Sequence, residues 1–159
     1  MLLWRKDVNV IVHSYSVSHI DAVIAKEDGI EGWRFTGVYG HLEAAKRIES
    51  WKLLRSLRRS SIRPWLCAGD FNEILSQDEK AGAPRPRKQI EEFRDCLFDC
   101  QVANVCVRLD RACASSDWMR TRGVSNDRKS TWIRPYAAGY FFGWPITFER
   151  QETTETLSI

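Results

Sequence analysis

The chain has 159 residues and a formal net charge of +3; 43% of its residues are hydrophobic, 28% are charged and seven are tryptophan. This length fits one domain, and the apolar content can build a core, which excludes a chain that is disordered throughout. The mildly basic charge permits a polyanionic partner without indicating one, and we expect neither an export signal nor a membrane span, because charged residues 5–7 directly follow the short apolar N-terminus.

The N-terminal part of the chain predicts β-strands. Val8, Val10 and Val12 alternate with other residues over 8–13, which is the period of a strand. Segments 19–24 and 33–39 are further candidates, separated by a turn around Asp28 and Gly29. The connections are too short for parallel crossovers, so we expect these strands to pair antiparallel.

The clearest predicted helix follows these strands. Its apolar residues recur at three- and four-residue steps and form one stripe: Ala44, Ile48, Trp51, Leu54 and Leu57. Basic residues, including Arg47, are expected mainly on the other faces, and the helix is expected to stop at residues 60–61. Residues 65–68 are then a continuously apolar run, typical of a strand buried on both faces, and they lead directly into Gly-Asp-Phe-Asn at 69–72.

The C-terminal half is predicted to contain one more helix and one more strand. After a polar loop over 76–88, Ile90, Phe93, Leu97 and Phe98 predict an amphipathic helix that ends near Cys100. Residues 108–114 are a candidate strand. Beyond residue 118 the chain becomes polar and basic, without a usable period.

The five cysteines of the sequence predict reduced thiols rather than disulfides. Their count is odd and their spacing does not match a small disulfide-rich domain, so we expect an intracellular protein of the nucleus or cytoplasm. Cys96 and Cys100 lie one helical turn apart, but nothing nearby completes the four ligands of a zinc site. We therefore expect buried thiols that pack as small hydrophobic groups.

The Gly-Asp-Phe-Asn segment carries residues that suit phosphodiester hydrolysis. A buried strand that ends in Gly-Asp places the Asp70 carboxylate at the rim of a sheet, and Asn72 is expected on the same strand face. The carboxylate could orient or deprotonate water while the amide donates to a phosphate oxygen. A turn in which Asp70 and Asn72 have only a structural role is the alternative.

Three motifs occur in an order that resembles a known family. They are Val-Tyr-Gly-His at 38–41, Trp-Leu-Cys-Ala-Gly-Asp-Phe-Asn-Glu-Ile at 65–74 and Arg-Leu-Asp-Arg-Ala at 108–112. The chain resembles the endonuclease/exonuclease/phosphatase superfamily, and it is most similar to the endonuclease domain of plant LINE-type retrotransposons. The likeness runs from Leu2 to about Trp118, so we expect a partial domain over 1–118 and an unrelated, poorly ordered tail over 119–159.

The resemblance implies an α+β fold of the deoxyribonuclease-I type, a four-layer α/β/β/α sandwich that is here incomplete at both ends. It also implies that Asp70 activates or positions the attacking water and that Asn72 binds the scissile phosphate. Tyr39 would lie at the pocket wall near that phosphate, and Asp110 would orient a catalytic histidine. The alternatives are a buried strand aromatic for Tyr39 and an ordinary ion-paired strand residue for Asp110.

Other parts of the family pattern have no counterpart in this sequence. The resemblance implies Mg²⁺ as the cofactor, but the family's metal-binding glutamate precedes the segment that resembles residues 2–5, and its final Ser-Asp-His element is missing. The histidines are His13, His19 and His41. The stretch between Gln101 and Arg108 is also shorter than in relatives, which place a strand there. We therefore expect Mg²⁺ to bind weakly and catalysis to be impaired.

DNA is the partner that the resemblance implies, and weak binding is expected here. A non-catalytic nucleic-acid-binding module is one alternative, in which phosphates would contact a basic set: Arg55, Arg58, Arg59, Arg63, Arg85, Arg87 and Lys88. Interspersed glutamates favour a solvated surface for this set. A phosphoesterase that hydrolyses a small phosphate ester is the other alternative.

Overall fold

The computed structural model describes residues 2–4, 6–25, 32–105, 110–123 and 146–148. The strands in these segments are β1 (Leu2–Trp4), β2 (Asn9–Tyr15), β3 (His19–Ala25), β4 (Trp33–Tyr39), β5 (Trp65–Asp70), β6 (Val102–Asn104), β7 (Asp110–Ser115) and β8 (Ile146–Phe148). The α-helices are α1 (Arg47–Arg59), α2 (Arg87–Asp99) and α3 (Ser116–Arg122), and short 3-10 turns span Ala44–Lys46 and Gln77–Glu79.

The described strands form a mixed six-stranded sheet in the order β2-β3-β4-β5-β7-β6 and a separate pair, β1-β8. Strands β2, β3 and β4 pair antiparallel, as the short connections predict. Strand β5 lies parallel to β4, because helix α1 provides the long crossover between them. Strand β7 then pairs antiparallel with both β5 and β6.

Alternate residues of the central strands build a core on each face of the sheet. Trp65 and Cys67 of β5 pack with Trp51 of α1 and Phe93 of α2. Leu66, on the other face, belongs to a second cluster that also contains residues of β7 and α3, with Leu2 of β1 packed against it. The predicted α+β class is thus confirmed, with a helical layer on one side of a mixed sheet.

The helices differ from the sequence prediction in which residues they bury. Ala44 belongs to the 3-10 turn before α1, and Ile48 is 37% exposed. Phe98 is 83% exposed, because it lies about 100° around the helix from Leu97. Cys96 is buried beside Phe93 and Leu97 in α2, although the sequence pattern did not place it in the apolar stripe.

Two segments carry strands that the sequence pattern did not predict. Residues 102–104 form β6, and this short strand pairs with β7 from Val102↔Ser115 to Asn104↔Cys113. Strand β8 lies within the segment 119–159 and pairs with β1. The first two residues of the predicted strand 108–114 lie outside the described residues, which do not include 106–109. Most of the predicted tail also lies outside them.

The cysteines of the described segments pack as the sequence predicts. Cys67, Cys96, Cys100 and Cys113 are buried, and none of them forms a disulfide bond within the described segments. Burial raises the pKa of the Cys67 thiol well above its ordinary value, so this group stays protonated and unreactive. No group of three His, Cys, Asp or Glu side chains within the described segments could hold a metal ion.

None of the helices described here has the length and apolar character needed to cross a membrane.

Gly69 is the position of β5 where no side chain fits. Its φ angle is +141°, and an added Cβ would lie 2.1 Å from the carbonyl oxygen of Val38 in β4. Gly123, at the end of α3, has a φ of +65° but open space around its Cα. A side chain at Gly69 would therefore meet both an unfavourable backbone conformation and a steric clash, whereas a side chain at Gly123 would meet only the unfavourable conformation.

We expect Gly69→Ala to lower the free energy of unfolding by about 3 kcal/mol or more, from strain and overpacking together. Gly123→Ala is the matched control and is expected to cost about 1 kcal/mol, the left-handed backbone term alone. Urea unfolding of both variants measures the difference. Equal losses would show that β4 and β5 do not approach each other this closely at Gly69.

Candidate active site

Tyr39, Asp70 and Asp110 stand side by side on three adjacent strands. Tyr39 is the register partner of Asp70 in the parallel β4–β5 pair, and Asp70 is the register partner of Asp110 in the antiparallel β5–β7 pair. Register partners in a sheet share a face, so these positions form a row at one end of the sheet, here called the Tyr39–Asp70–Asp110 row. By strand alternation, its face is the one that also carries Ala68 and Ala112.

Asn72 lies beside this row, but not for the reason that the sequence pattern suggested. Strand β5 ends at Asp70, and Asn72 has a left-handed φ of 55°, so the two residues do not share a strand face. The backbone N–H of Asn72 instead donates to Asp70 Oδ1 at 2.9 Å, which closes a tight turn. The turn expected as the alternative therefore exists, and it brings Asn72 next to Asp70.

Gly40 joins the end of β4 to this turn. Its N–H donates to the carbonyl oxygen of Asp70 at 2.7 Å, and its own carbonyl oxygen accepts from Asn72 Nδ2 at 2.8 Å. A Cβ on Gly40 would lie 2.1 Å from the carbonyl oxygen of Phe71, so only glycine allows this contact. One proton of the Asn72 amide is used here, and the amide carries a second N–H.

Phe71 anchors the turn in the core beneath the helices. Its side chain is fully buried, and its ring centroid lies 5.6 Å from that of Phe93. Phe93 in turn stacks on Trp51 at 4.6 Å. Because neighbouring residues point to opposite sides, this anchor directs Asp70 away from the helical layer.

A buried ion pair that the sequence pattern did not reveal lies under the same loop. Glu73 is 1% exposed, and its Oε2 accepts from Arg47 Nη1 at 2.9 Å. Arg47 was expected on a solvent-facing side of the helix but is buried, and it also donates to the carbonyl oxygens of His41 and Leu42. The sequence signal for this pair was the position of Glu73 next to the apolar Ile74, because a carboxylate among buried residues needs a partner.

Two further arginines contact this loop. Arg85 Nε lies 3.3 Å from Glu73 Oε1, and Arg85 Nη2 approaches the carbonyl oxygen of Asn72 at 3.4 Å. Arg111 is completely buried and pairs with Glu79. Arg111 is next to Asp110 in β7, so it lies on the helical side of the sheet, where its guanidinium lies over the Phe93 ring.

Two basic residues of α1, Arg55 and Arg58, make side-chain contacts within the chain. Arg55 Nε donates to Asp99 at 2.7 Å, and Arg58 Nη2 donates to Gln101 at 2.8 Å. Both contacts join α1 to the end of α2, in the helical layer on the opposite side of the sheet from the row. This arrangement favours the solvated, internally paired surface that the interspersed acidic residues predict.

Two of the three histidines, His19 and His41, make local hydrogen bonds. His19 is buried between Ser14 and Ser16, whose hydroxyls lie 3.0 and 2.8 Å from its two ring nitrogens. Burial lowers the pKa of His19, against the opposing effect of Asp21. His41 Nδ1 accepts the N–H of Glu43 at 3.1 Å.

The donor set at the row does not by itself make a magnesium site. Mg²⁺ binds oxygen ligands, commonly one or two carboxylates together with substrate phosphates. Among the described side chains of the row, Asp70 supplies a carboxylate, and one of its oxygens already accepts the Asn72 N–H. The described side chains of the row therefore do not fit a Mg²⁺ ion on their own.

Comparisons with known proteins agree on the type of fold. A family model described as the endonuclease/exonuclease/phosphatase family matches residues 1–130. A solved structure, the endonuclease domain of TRAS1, a telomere-specific non-LTR retrotransposon, is similar with a TM-score of 0.57 and 10% identity. The match covers 73% of this chain and 59% of that one, so the chain spans less than two thirds of that structure. Among curated proteins, none matches significantly.

Replacing Asp70 with asparagine should preserve the turn, because the amide oxygen of asparagine accepts a hydrogen bond as a carboxylate does. We expect Asp70→Ala to lower the free energy of unfolding by about 1–3 kcal/mol, and Asp70→Asn to cost less than about 1 kcal/mol. Urea unfolding of the two variants tests this. If Asp70→Asn is as unstable as Asp70→Ala, the contact with the Asn72 N–H is not what holds the turn.

Proposed function

The chain belongs to the endonuclease/exonuclease/phosphatase family, and on that premise we propose that it carries part of the active site of a Mg²⁺-dependent DNA endonuclease of retrotransposon origin. The observation that carries the proposal is the Tyr39–Asp70–Asp110 row, with Asn72 tied to it through Gly40.

The chemistry of the row suits hydrolysis of a phosphodiester. The Asp70 carboxylate would orient or deprotonate the attacking water. The Tyr39 hydroxyl and the second N–H of the Asn72 amide would donate to phosphate oxygens, where negative charge develops in the transition state. Asp110 would orient a catalytic imidazole for proton transfer, the role that the resemblance implies for it. A bound Mg²⁺ would supply further charge stabilisation at the phosphate.

DNA is the proposed substrate. The similar solved structure is named as the endonuclease domain of a retrotransposon, and three motifs of this sequence resemble the endonuclease domains of plant LINE-type elements. Both likenesses support a polynucleotide rather than a small phosphate ester, although the same row could hydrolyse either.

We further propose that these 159 residues alone are catalytically impaired. A general acid or base contributes typically about 10²–10⁴-fold to a rate. The buried His19 is bonded to serines, and the Nδ1 atom of His41 is bonded to the backbone of Glu43. A weak metal site would remove a second contribution.

The direct test is nicking of supercoiled plasmid DNA by the purified 159-residue chain with Mg²⁺ or Mn²⁺. We expect nicking no faster than that of Asp70→Asn, the variant that keeps the turn but lacks the carboxylate. Efficient nicking that Asp70→Asn abolishes would contradict the impairment and support the assigned site. Nicking that Asp70→Asn retains would contradict the site itself.

The same preparation distinguishes a site-directed contact with DNA from binding through α1. In fluorescence anisotropy at low salt, Tyr39→Phe is expected to weaken binding of a short duplex by about 3–10-fold, the value of one hydrogen bond. The double variant Arg55→Gln/Arg58→Gln should change the affinity for the duplex by less than about twofold, since both side chains already make contacts within the chain. The reverse pattern would favour a binding module that uses the helical surface.

A further inference from the structure

Arg111 has an environment that its place in the sequence does not suggest. It is completely buried on the helical side of the sheet, directly after Asp110. Its Nη2 donates to Glu79 Oε2 and also approaches the carbonyl oxygen of Glu73 at 3.3 Å. A single guanidinium therefore contacts both ends of the 73–79 segment, which directly follows Asn72.

Glu79 connects this arginine to the backbone of the loop. The Oε2 atom that pairs with Arg111 also accepts the N–H of Leu75 at 3.0 Å. The carbonyl oxygen of Leu75 is in turn bonded by Arg94 of α2 at 2.7 Å. The loop between Asn72 and the 3-10 turn is thus held from β7 and from α2 at once.

The charge of Arg111 is buried, so its guanidinium must stay in contact with the few groups that stabilise it. Its Nε and Nη1 make no hydrogen bond within the described part of the chain, and the guanidinium lies 5.5 Å from the centroid of the Phe93 ring. The aromatic face offsets part of the lost hydration. Ionic compensation comes from Glu79, and a buried charge that loses its partner is strongly destabilising. Any displacement of β7 relative to the loop would break this pair.

We propose that Arg111 and Glu79 are positioning residues for the Tyr39–Asp70–Asp110 row. Arg111 acts through its neighbours: it fixes β7, where Asp110 begins the strand, relative to the loop that starts at Asn72. The pair does not touch substrate. This inference rests on the proposed function for its importance, but the mechanical coupling that it asserts can be measured without DNA.

A second buried ion pair provides the matched control. Arg34 donates to both carboxylate oxygens of Asp21, at 2.7 and 2.8 Å. Arg34 lies near the start of β4, and Tyr39 ends that strand, so this pair is about 17 Å from the row at 3.3 Å per residue. Glu79→Gln and Asp21→Asn therefore make the same chemical change, near the row and far from it.

The experiment uses the ¹⁵N-labelled full chain and two NMR signals of Asn72: hydrogen exchange of its backbone N–H, bonded to Asp70, and the shift of its side-chain amide, bonded to Gly40. We expect Glu79→Gln to reduce protection of the backbone N–H by about tenfold, the equivalent of one lost hydrogen bond, and to shift the side-chain amide. Asp21→Asn should change the protection of the backbone N–H by less than about twofold, after correction for global stability. It should also leave the chemical shift of the side-chain amide within the line width.

Equal responses to the two variants, or no response of Asn72 to Glu79→Gln, would overturn the proposal. If Glu79→Gln does not fold, Arg111→Lys replaces it, because lysine keeps the charge and loses the planar fork; an unchanged Asn72 in that variant overturns the proposal equally. Absence of DNA nicking leaves this result intact, so a failure of the proposed function and a failure of the coupling are separate outcomes.

Discussion

The buried carboxylate of Glu73 is the constraint on which the end of the sheet depends. Removing a carboxylate from water costs several kcal/mol, and only a well-placed partner offsets that cost. Arg47 is this partner, and its remaining donors are held by the carbonyl oxygens of His41 and Leu42. The pair can form only when the loop after β4 and the loop after β5 lie together, so its burial locks two strand ends in one arrangement.

The Arg47–Glu73 pair helps to hold Tyr39 and Asp70 side by side, because it joins the loops that follow β4 and β5. Gly40 uses both its backbone groups on the Asp70–Asn72 turn, and Phe71 fills the core beneath it. Asp70 is therefore held through its backbone by Gly40 and by the anchored Phe71, in addition to the hydrogen bond that its carboxylate accepts from the Asn72 N–H. In the proposed function, strand ends held in this way would bind a phosphate with little further loss of conformational entropy.

Much of this architecture could be predicted from the sequence, and the errors share one cause. Strand alternation and helical periodicity located β2 to β5, α1 and α2, and three short motifs indicated the superfamily, which the family model confirms. The likeness to plant LINE elements stays a prediction. Local periodicity placed Arg47 on a polar face and Asn72 on a strand face, because it cannot reveal a pairing partner 26 residues away or the residue at which a strand ends. The burial of the Arg47–Glu73 pair depends on such a distant contact.

The coupling between Arg47 and Glu73 tests the central claim most directly. A double-mutant cycle with Arg47→Met and Glu73→Gln, followed by urea unfolding, isolates the free energy of their interaction from the cost of each change. The account predicts a coupling of about 2 kcal/mol or more, since each single variant leaves a buried group without its nearest ionic partner. Effects that add to within about 0.5 kcal/mol would contradict it, because the two loops would then be held together by something other than this ion pair.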